Sequence, residues 1–236
     1  MRYVSLVVRL CGASAAIAAV LHAGADPPKP DSGRFTLLLQ NKPVGSDQFR
    51  LLSDGCDSDV AAALGNGKTF EFHQTLTYKK GRWTQLATNA GALGTMSLTI
   101  AGDKSILKTG DKPAAAQKLP ATVFPYGDRS PHLLAFLVAA YDSKKAGEQK
   151  FDLIYSEGLG PGGVVLLTAK VTEPQTSERQ LSGKTASIVR YSITLATKAG
   201  PVAMEVLTDK DRHVLYWSVP TQHYTAVRNG FEDLAR

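Results

Sequence analysis

The chain is poor in cysteine: Cys11 and Cys56 are the only two in 236 residues. That is too few for a disulfide-stapled scaffold, so stability must come from an apolar core. Past the N-terminus there is no apolar run approaching the roughly 20 residues that a membrane-spanning helix needs, so the mature chain is expected to lack a span. Basic residues outnumber acidic ones by 27 to 21, but they are scattered through strands and turns. Nucleic-acid recognition needs a basic patch or stripe, and without one that class is excluded. No H-E-x-x-H, no H-x-x-x-H and no G-x-S-x-G occurs, so neither zincin nor serine-hydrolase chemistry has its motif. No cofactor and no metal is expected.

The first residues read as an address. Arg2 and Arg9 supply a positive start, Leu10 to Leu21 is a short Ala-rich apolar run, and Ala23-Gly24-Ala25 fits a small-x-small cleavage site. Cleavage after Ala25 makes residues 1–25 a signal peptide and 26–32 (DPPKPDS) an extended proline-rich leader, with 33–236 as a single β-rich domain. Processing removes Cys11 and leaves Cys56 alone, so no internal disulfide is expected. It also removes Arg2 and Arg9, which takes the formal charge from +6 to +4. The expected location is bacterial and exported, in the periplasm or outside the cell.

The mature chain is organised around Ser130 to Tyr141, SPHLLAFLVAAY. Ser130 suits an N-cap and Pro131 the first helical position. Leu133 to Tyr141 is apolar all round, which predicts a buried helix over about 131–141. Asp142 to Lys145 follow, with cations suited to the negative end of the helix dipole, and Gly147 as a stop.

Strand patterns lie on both sides. Phe35, Leu37 and Leu39 alternate, residues 41–45 read as a turn, and Phe49 and Leu51 follow. Residues 53–67 read as irregular, with Val60 to Leu64 either a helical turn or part of a strand. Thr69 to Tyr78 alternates most clearly, with Phe70, Phe72, Leu76 and Tyr78 on one face, interrupted only by Gln74. Shorter sets follow around Trp83, Met96–Ile100, Phe151–Tyr155, Val164–Val171, Val189–Leu195, Val202–Val206 and Leu215–Val219. Residues 109–130 form a long connection holding Pro113, Pro120 and Pro125. About ten short strands with one buried helix predict a mainly β fold: a curved antiparallel sheet or open barrel wrapped on that helix.

The layout of export signal, opening hairpin FTLLLQNKPVGSDQFRL, mid-chain helix after a Pro-rich loop and final TDKDRHVLYWSVP resembles uncharacterised bacterial exported proteins with a curved, lipoprotein-carrier-like sheet. The resemblance implies a concave face that holds acyl chains.

Candidate chemistry is sparse. His132 is placed beside Tyr126, Asp128 and Arg129 at the entry to the helix, where a base–carboxylate pair at a pocket mouth is one reading and simple helix entry the other. Asp54, Asp57 and Asp59 have the wrong spacing for a calcium loop and read as a solvated acidic turn. Gly158 to Gly163 precedes a strand, so a phosphate loop is disfavoured against a hairpin connection. Cys56 sits among acids, which disfavour its thiolate. No catalytic residue is assigned. Phe72, Trp83, Tyr126, His132, Phe136 and Trp217 are the candidate ligand-binding set, should the helix leave part of the sheet uncovered. The function expected is a non-catalytic envelope domain that binds an apolar or lipid-like ligand or docks an envelope protein. The alternatives are a hydrolase of envelope polymers and a scaffold with a solid core.

Overall fold

A computed structural model describes residues 27–64, 68–79, 82–110, 112–113, 116–120, 122–156 and 164–235. The stretch read as a signal peptide, the Gly158–Gly163 cluster and residues 80–81 lie outside them.

The first half of the chain is a meander. β1 (Asp31–Leu39), β2 (Lys42–Leu52), β3 (Gly55–Leu64), β4 (Lys68–Lys79), β5 (Arg82–Asn89), β6 (Thr95–Ala101) and β7 (Lys104–Thr109) each pair antiparallel with the one before. The first turn is Gln40-Asn41, both at positive φ, which matches the right-handed twist of a two-residue hairpin. β1 begins at Asp31, inside the stretch read as leader.

β8 (Lys112–Pro113) and β9 (Gln117–Lys118) border β7, and β10 (Phe124–Tyr126) runs parallel to β11 (Gln149–Ser156). Between β10 and β11 lies α1 (Leu134–Ala140), entered through a 3-10 turn at Pro131–Leu133. β12 (Val164–Val171), β13 (Gln175–Leu181), β14 (Lys184–Thr197), β15 (Gly200–Thr208), β16 (Val214–Val219) and β17 (Tyr224–Arg228) complete one sheet of 17 strands among the described residues. β17 pairs with β1 and joins the two halves of the chain. β14 is long enough for β13 to pair with its first half and β12 with its second.

The expectation of about ten strands, all antiparallel, is corrected here. β3 was hidden because its inward residues are Cys56, Ser58, Val60 and Ala62, too small and mixed to contrast with Asp57 and Asp59 outside. β13, QTSERQL, is exposed over most of its length and is held by its ladder to β14. Glycines at both ends of β3's pairing permit close strand approach. A Cβ at Gly55 would sit 1.9 Å from the Leu76 carbonyl oxygen, and one at Gly45 2.2 Å from that of Ala61.

The helix is buried as expected, with Leu133 to Val138 at most 3% exposed. Its ends are held differently from the sequence reading. The Ser130 hydroxyl makes no capping bond. At the other end the Arg212 guanidinium, not Lys144 or Lys145, donates through Nη1 to the carbonyls of Val138 (3.4 Å), Ala139 (3.0 Å) and Tyr141 (3.2 Å). Asp209 shapes the turn that aims it, accepting from the Asp211 and His213 backbone N–H groups. A half-buried cation on orphan carbonyls should matter, so Arg212→Met is expected to lower the unfolding free energy by about 1–2 kcal/mol. Urea denaturation checks this.

Lengths decide what the helix can cover. Its seven residues rise only ~10 Å. The 14 residues of β14 run ~45 Å. α1 therefore fills one end of the trough and leaves the other. At the filled end Tyr78 packs on Phe136 (5.8 Å between rings) and Tyr191 on Tyr141 (6.1 Å). At the same end the Trp83 indole N–H donates to the Val123 carbonyl at 2.7 Å. That bond ties β5 to the segment crossing from β9, on one edge of the sheet, to β10 on the other. A second, smaller core of Ile188, Leu207 and Leu215 lies on the outer face, covered by Leu234 of the 3-10 turn Glu232–Ala235.

Candidate functional site

The unfilled end of the trough is a cavity of about 750 Å³. Each strand contributes the half that the helix does not reach. β4 supplies Phe70, Phe72 and Gln74 to the cavity, while its later residue Tyr78 goes to the helix. β14 supplies Leu195 and Thr197, while Tyr191 packs on Tyr141. β16 supplies Trp217 and Val219. The walls are mainly apolar, and three charged residues line the cavity: Asp128, Arg129 and Lys198.

The turn between β10 and the helix carries the first two. Asp128 accepts from the Tyr155 hydroxyl at 2.8 Å. Arg129 and Lys198 are exposed and make no ion pair among the described residues. The Tyr126 hydroxyl points to the Met204 sulfur at 3.6 Å. Burial, followed by the charge of Asp128, pushes that phenol well above its ordinary range. Burial does the same at Tyr224, against the opposing charge of Arg129 and with help from Asp128 and Asp47. Both phenols therefore keep their protons at any ordinary pH and remain donors. Trp217 and Tyr224 meet edge to face at 5.4 Å. The indole Nε1 of Trp217, the hydroxyl of Tyr224 and the Oε1 of Gln74 are all buried with no hydrogen-bond partner among the described residues.

The candidate residues divide. Phe72, Tyr126 and Trp217 lie in the cavity wall. Trp83 and Phe136 belong to the filled end.

His132 belongs to neither. It does not pair with Asp128; its Nδ1 lies 2.7 Å from Asp47 Oδ2 on β2, and both side chains are 0% exposed. Phe49 stacks on the imidazole at 5.9 Å. Burial opposes its charge, but the Asp47 carboxylate outweighs burial, with the nearby Cys56 thiol adding to it, and pushes His132 up to about 10. The Cys56 thiol sits beside the ring without giving Nε2 a regular hydrogen bond. Thiol, imidazole and carboxylate thus stand in the order of a covalent catalyst. The set is nevertheless sealed, with Cys56 only 3% exposed. An imidazole already protonated at neutral pH also has no lone pair to act as a base.

Of the three acids read as a solvated turn, Asp54 lies exposed in the turn between β2 and β3, while the other two are cross-strand partners: Asp57 with Arg50 at 2.9 Å and Asp59 with His73 at 2.9 Å. Sequence reasoning missed Lys198, Tyr155 and Tyr224. A lysine in a turn and two tyrosines on strands carry no signal until the sheet curls and brings them to one mouth.

No protein-family model and no curated protein matches the chain. Among solved structures it is similar to a Bacteroides fragilis protein classed as exported and given a YmcC-like fold. That protein is 11% identical, with 87% of this chain and 97% of the other covered and a TM-score of 0.30. No functional argument follows from a likeness at that level. No helix among the described residues is long and apolar enough to cross a membrane.

Proposed function

We propose that this is an exported, non-catalytic envelope protein that takes an apolar, lipid-like ligand into the open end of its trough. The observation that carries the reading is the cavity itself. At about 750 Å³ it falls within the roughly 300–1,000 Å³ of small-molecule sites. Its apolar lining, which includes Phe70, Phe72, Leu195, Val219 and Trp217, favours an acyl chain or another apolar body over a sugar. The N-terminal signal pattern supports export. A solid scaffold would have the helix and sheet packed along their full length, and the length mismatch argues against that. A hydrolase of envelope polymers working in this cavity would need an acid–base pair in its wall, and no histidine is among the described residues that line it.

The test is native mass spectrometry of residues 26–236 purified from the envelope of the source cell, followed by solvent extraction. A reproducible lipid-sized adduct is expected, and it should disappear in Phe72→Glu, a change at a half-buried wall position that the fold can tolerate. A clean apo mass together with no uptake of Nile red would sink the reading.

A further inference from the structure

The cavity has a polarity that its apolar walls do not explain. Its charged lining is Arg129, Lys198 and Asp128, and these are not equivalent. Asp128 is engaged by the Tyr155 hydroxyl. The two cations are exposed and unpaired among the described residues. They come from distant parts of the chain. Arg129 sits on the turn entering the helix, and Lys198 on the tip of the β14–β15 hairpin. Strand register brings these parts to the same end. Thr168 pairs with both Ala196 and Asp152, which sets the β14–β15 tip beside the Tyr155 end of β11. Tyr126 pairs with Tyr155 one step before the Asp128–Arg129 turn.

Among the described residues, two of the three unpartnered polar atoms in the cavity wall point the same way; the third, Gln74 Oε1, is an acceptor. Arg129 lies within electrostatic reach of the Tyr224 hydroxyl and acts on it more strongly than Asp128 or Asp47. That hydroxyl and the indole N–H of Trp217, a residue only 1% exposed, are donors without acceptors among the described residues. Unmet donors beside an unpaired guanidinium call for an acceptor that carries negative charge. A lysine at the rim adds attraction at longer range.

We infer that the mouth of this cavity selects an anionic head, so that the ligand is an amphiphile with one apolar body and one carboxylate or phosphate, held at Arg129, Lys198 and the Tyr224–Trp217 pair. This rests on the cavity being a ligand site, and the experiment separates the two claims. The mature protein is loaded with Nile red, a neutral dye, and challenged at pH 7.5 with dodecanoate, dodecanol and dodecylammonium below their micellar range. Dodecanoate is expected to displace the dye at least about tenfold more effectively than dodecylammonium, a difference of ~1.4 kcal/mol. Reversing both cations together, Arg129→Glu with Lys198→Glu, should abolish or invert that ranking and leave dodecanol unchanged. The unchanged dodecanol value also reports an intact fold. Reversing two exposed lysines outside the cavity, Lys108→Glu with Lys184→Glu, alters net charge equally and should leave the ranking alone.

Equal displacement by the charged probes overturns the head-group assignment while the cavity reading stands. A preference for dodecanoate that survives the double reversal, or that falls as far in the remote control, overturns it too. Failure of Nile red and all three probes to bind removes the cavity reading and this inference together. Phosphate as the head is distinguished by repeating the series with dodecyl phosphate, which is expected to outrank dodecanoate if the site is built for a dianion.

Discussion

Asp47→Ala is expected to cost about 3–5 kcal/mol of stability, because it strands a protonated imidazole where no water reaches it. His132 and Asp47 are both 0% exposed, and His132 Nε2 and Asp47 Oδ1 lack other hydrogen-bond partners among the described residues. Each group therefore depends on the other. Replacing both at once, Asp47→Leu with His132→Leu, removes two desolvation costs along with the attraction, and is expected to be neutral or stabilising by about 1–4 kcal/mol. Urea denaturation of the three proteins decides it. A double variant as unstable as Asp47→Ala would mean the site needs its polar shape and not merely its charge balance.

The same pair sets a pH dependence. His132 is raised from an ordinary value near 6.5 to about 10 in the folded state. A group raised on folding contributes fully below its unfolded value and loses that contribution as pH rises through its folded value. The wild type is therefore expected to lose about 3 kcal/mol between pH 6 and pH 9. Tyr126, Tyr191 and Tyr224, all raised by burial, add a loss of the same sign only above about pH 10. The double leucine variant should show a flat profile over the lower window. A wild type equally flat from pH 6 to pH 9 would sink the assignment of charge to His132.

The second large effect separates the two ends of the trough. Phe136 is 3% exposed and packed on Tyr78, so Phe136→Ala is expected to cost about 3–5 kcal/mol. Phe72 is half-buried against the cavity, with Phe70 at 5.3 Å as its ring neighbour. Phe72→Ala is expected to cost less than about 1.5 kcal/mol, since the atoms removed already face open space. In Nile red binding the order should reverse, with Phe72→Ala weakening uptake and Phe136→Ala sparing it in whatever fraction stays folded. Equal stability losses at the two sites would mean the trough is filled along its whole length.

The particular residues explain what could be read in advance. The buried helix was legible because nine consecutive apolar residues behind Ser130-Pro131 have few other uses in a chain that does not cross a membrane with them. β4 was legible because phenylalanines alternate with Thr, Glu and His. β3 was not, because Cys56, Ser58 and Ala62 give its inner face no hydrophobic contrast. His132 was recognised as a residue of interest, but its partner is 85 positions away and Asp128 is only four. Proximity in sequence favoured the wrong carboxylate. The helix cap failed for the same reason: local chemistry favoured Lys144 and Lys145, and the guanidinium came from Arg212, 71 to 74 residues downstream.

By itself the sequence determined the local terms: where the apolar periodicity is 2 and where it is continuous, where turns fall, and that one short helix must be covered by β-structure. Those follow from side chains and their near neighbours along the chain. Tertiary structure alone decided that β1 and β17 meet, that Asp47 and not Asp128 faces His132, and that Arg129, Lys198 and Tyr224 share one mouth. These depend on strand register and sheet curvature, which sum small twists over many strands, and no local pattern of residues encodes that sum.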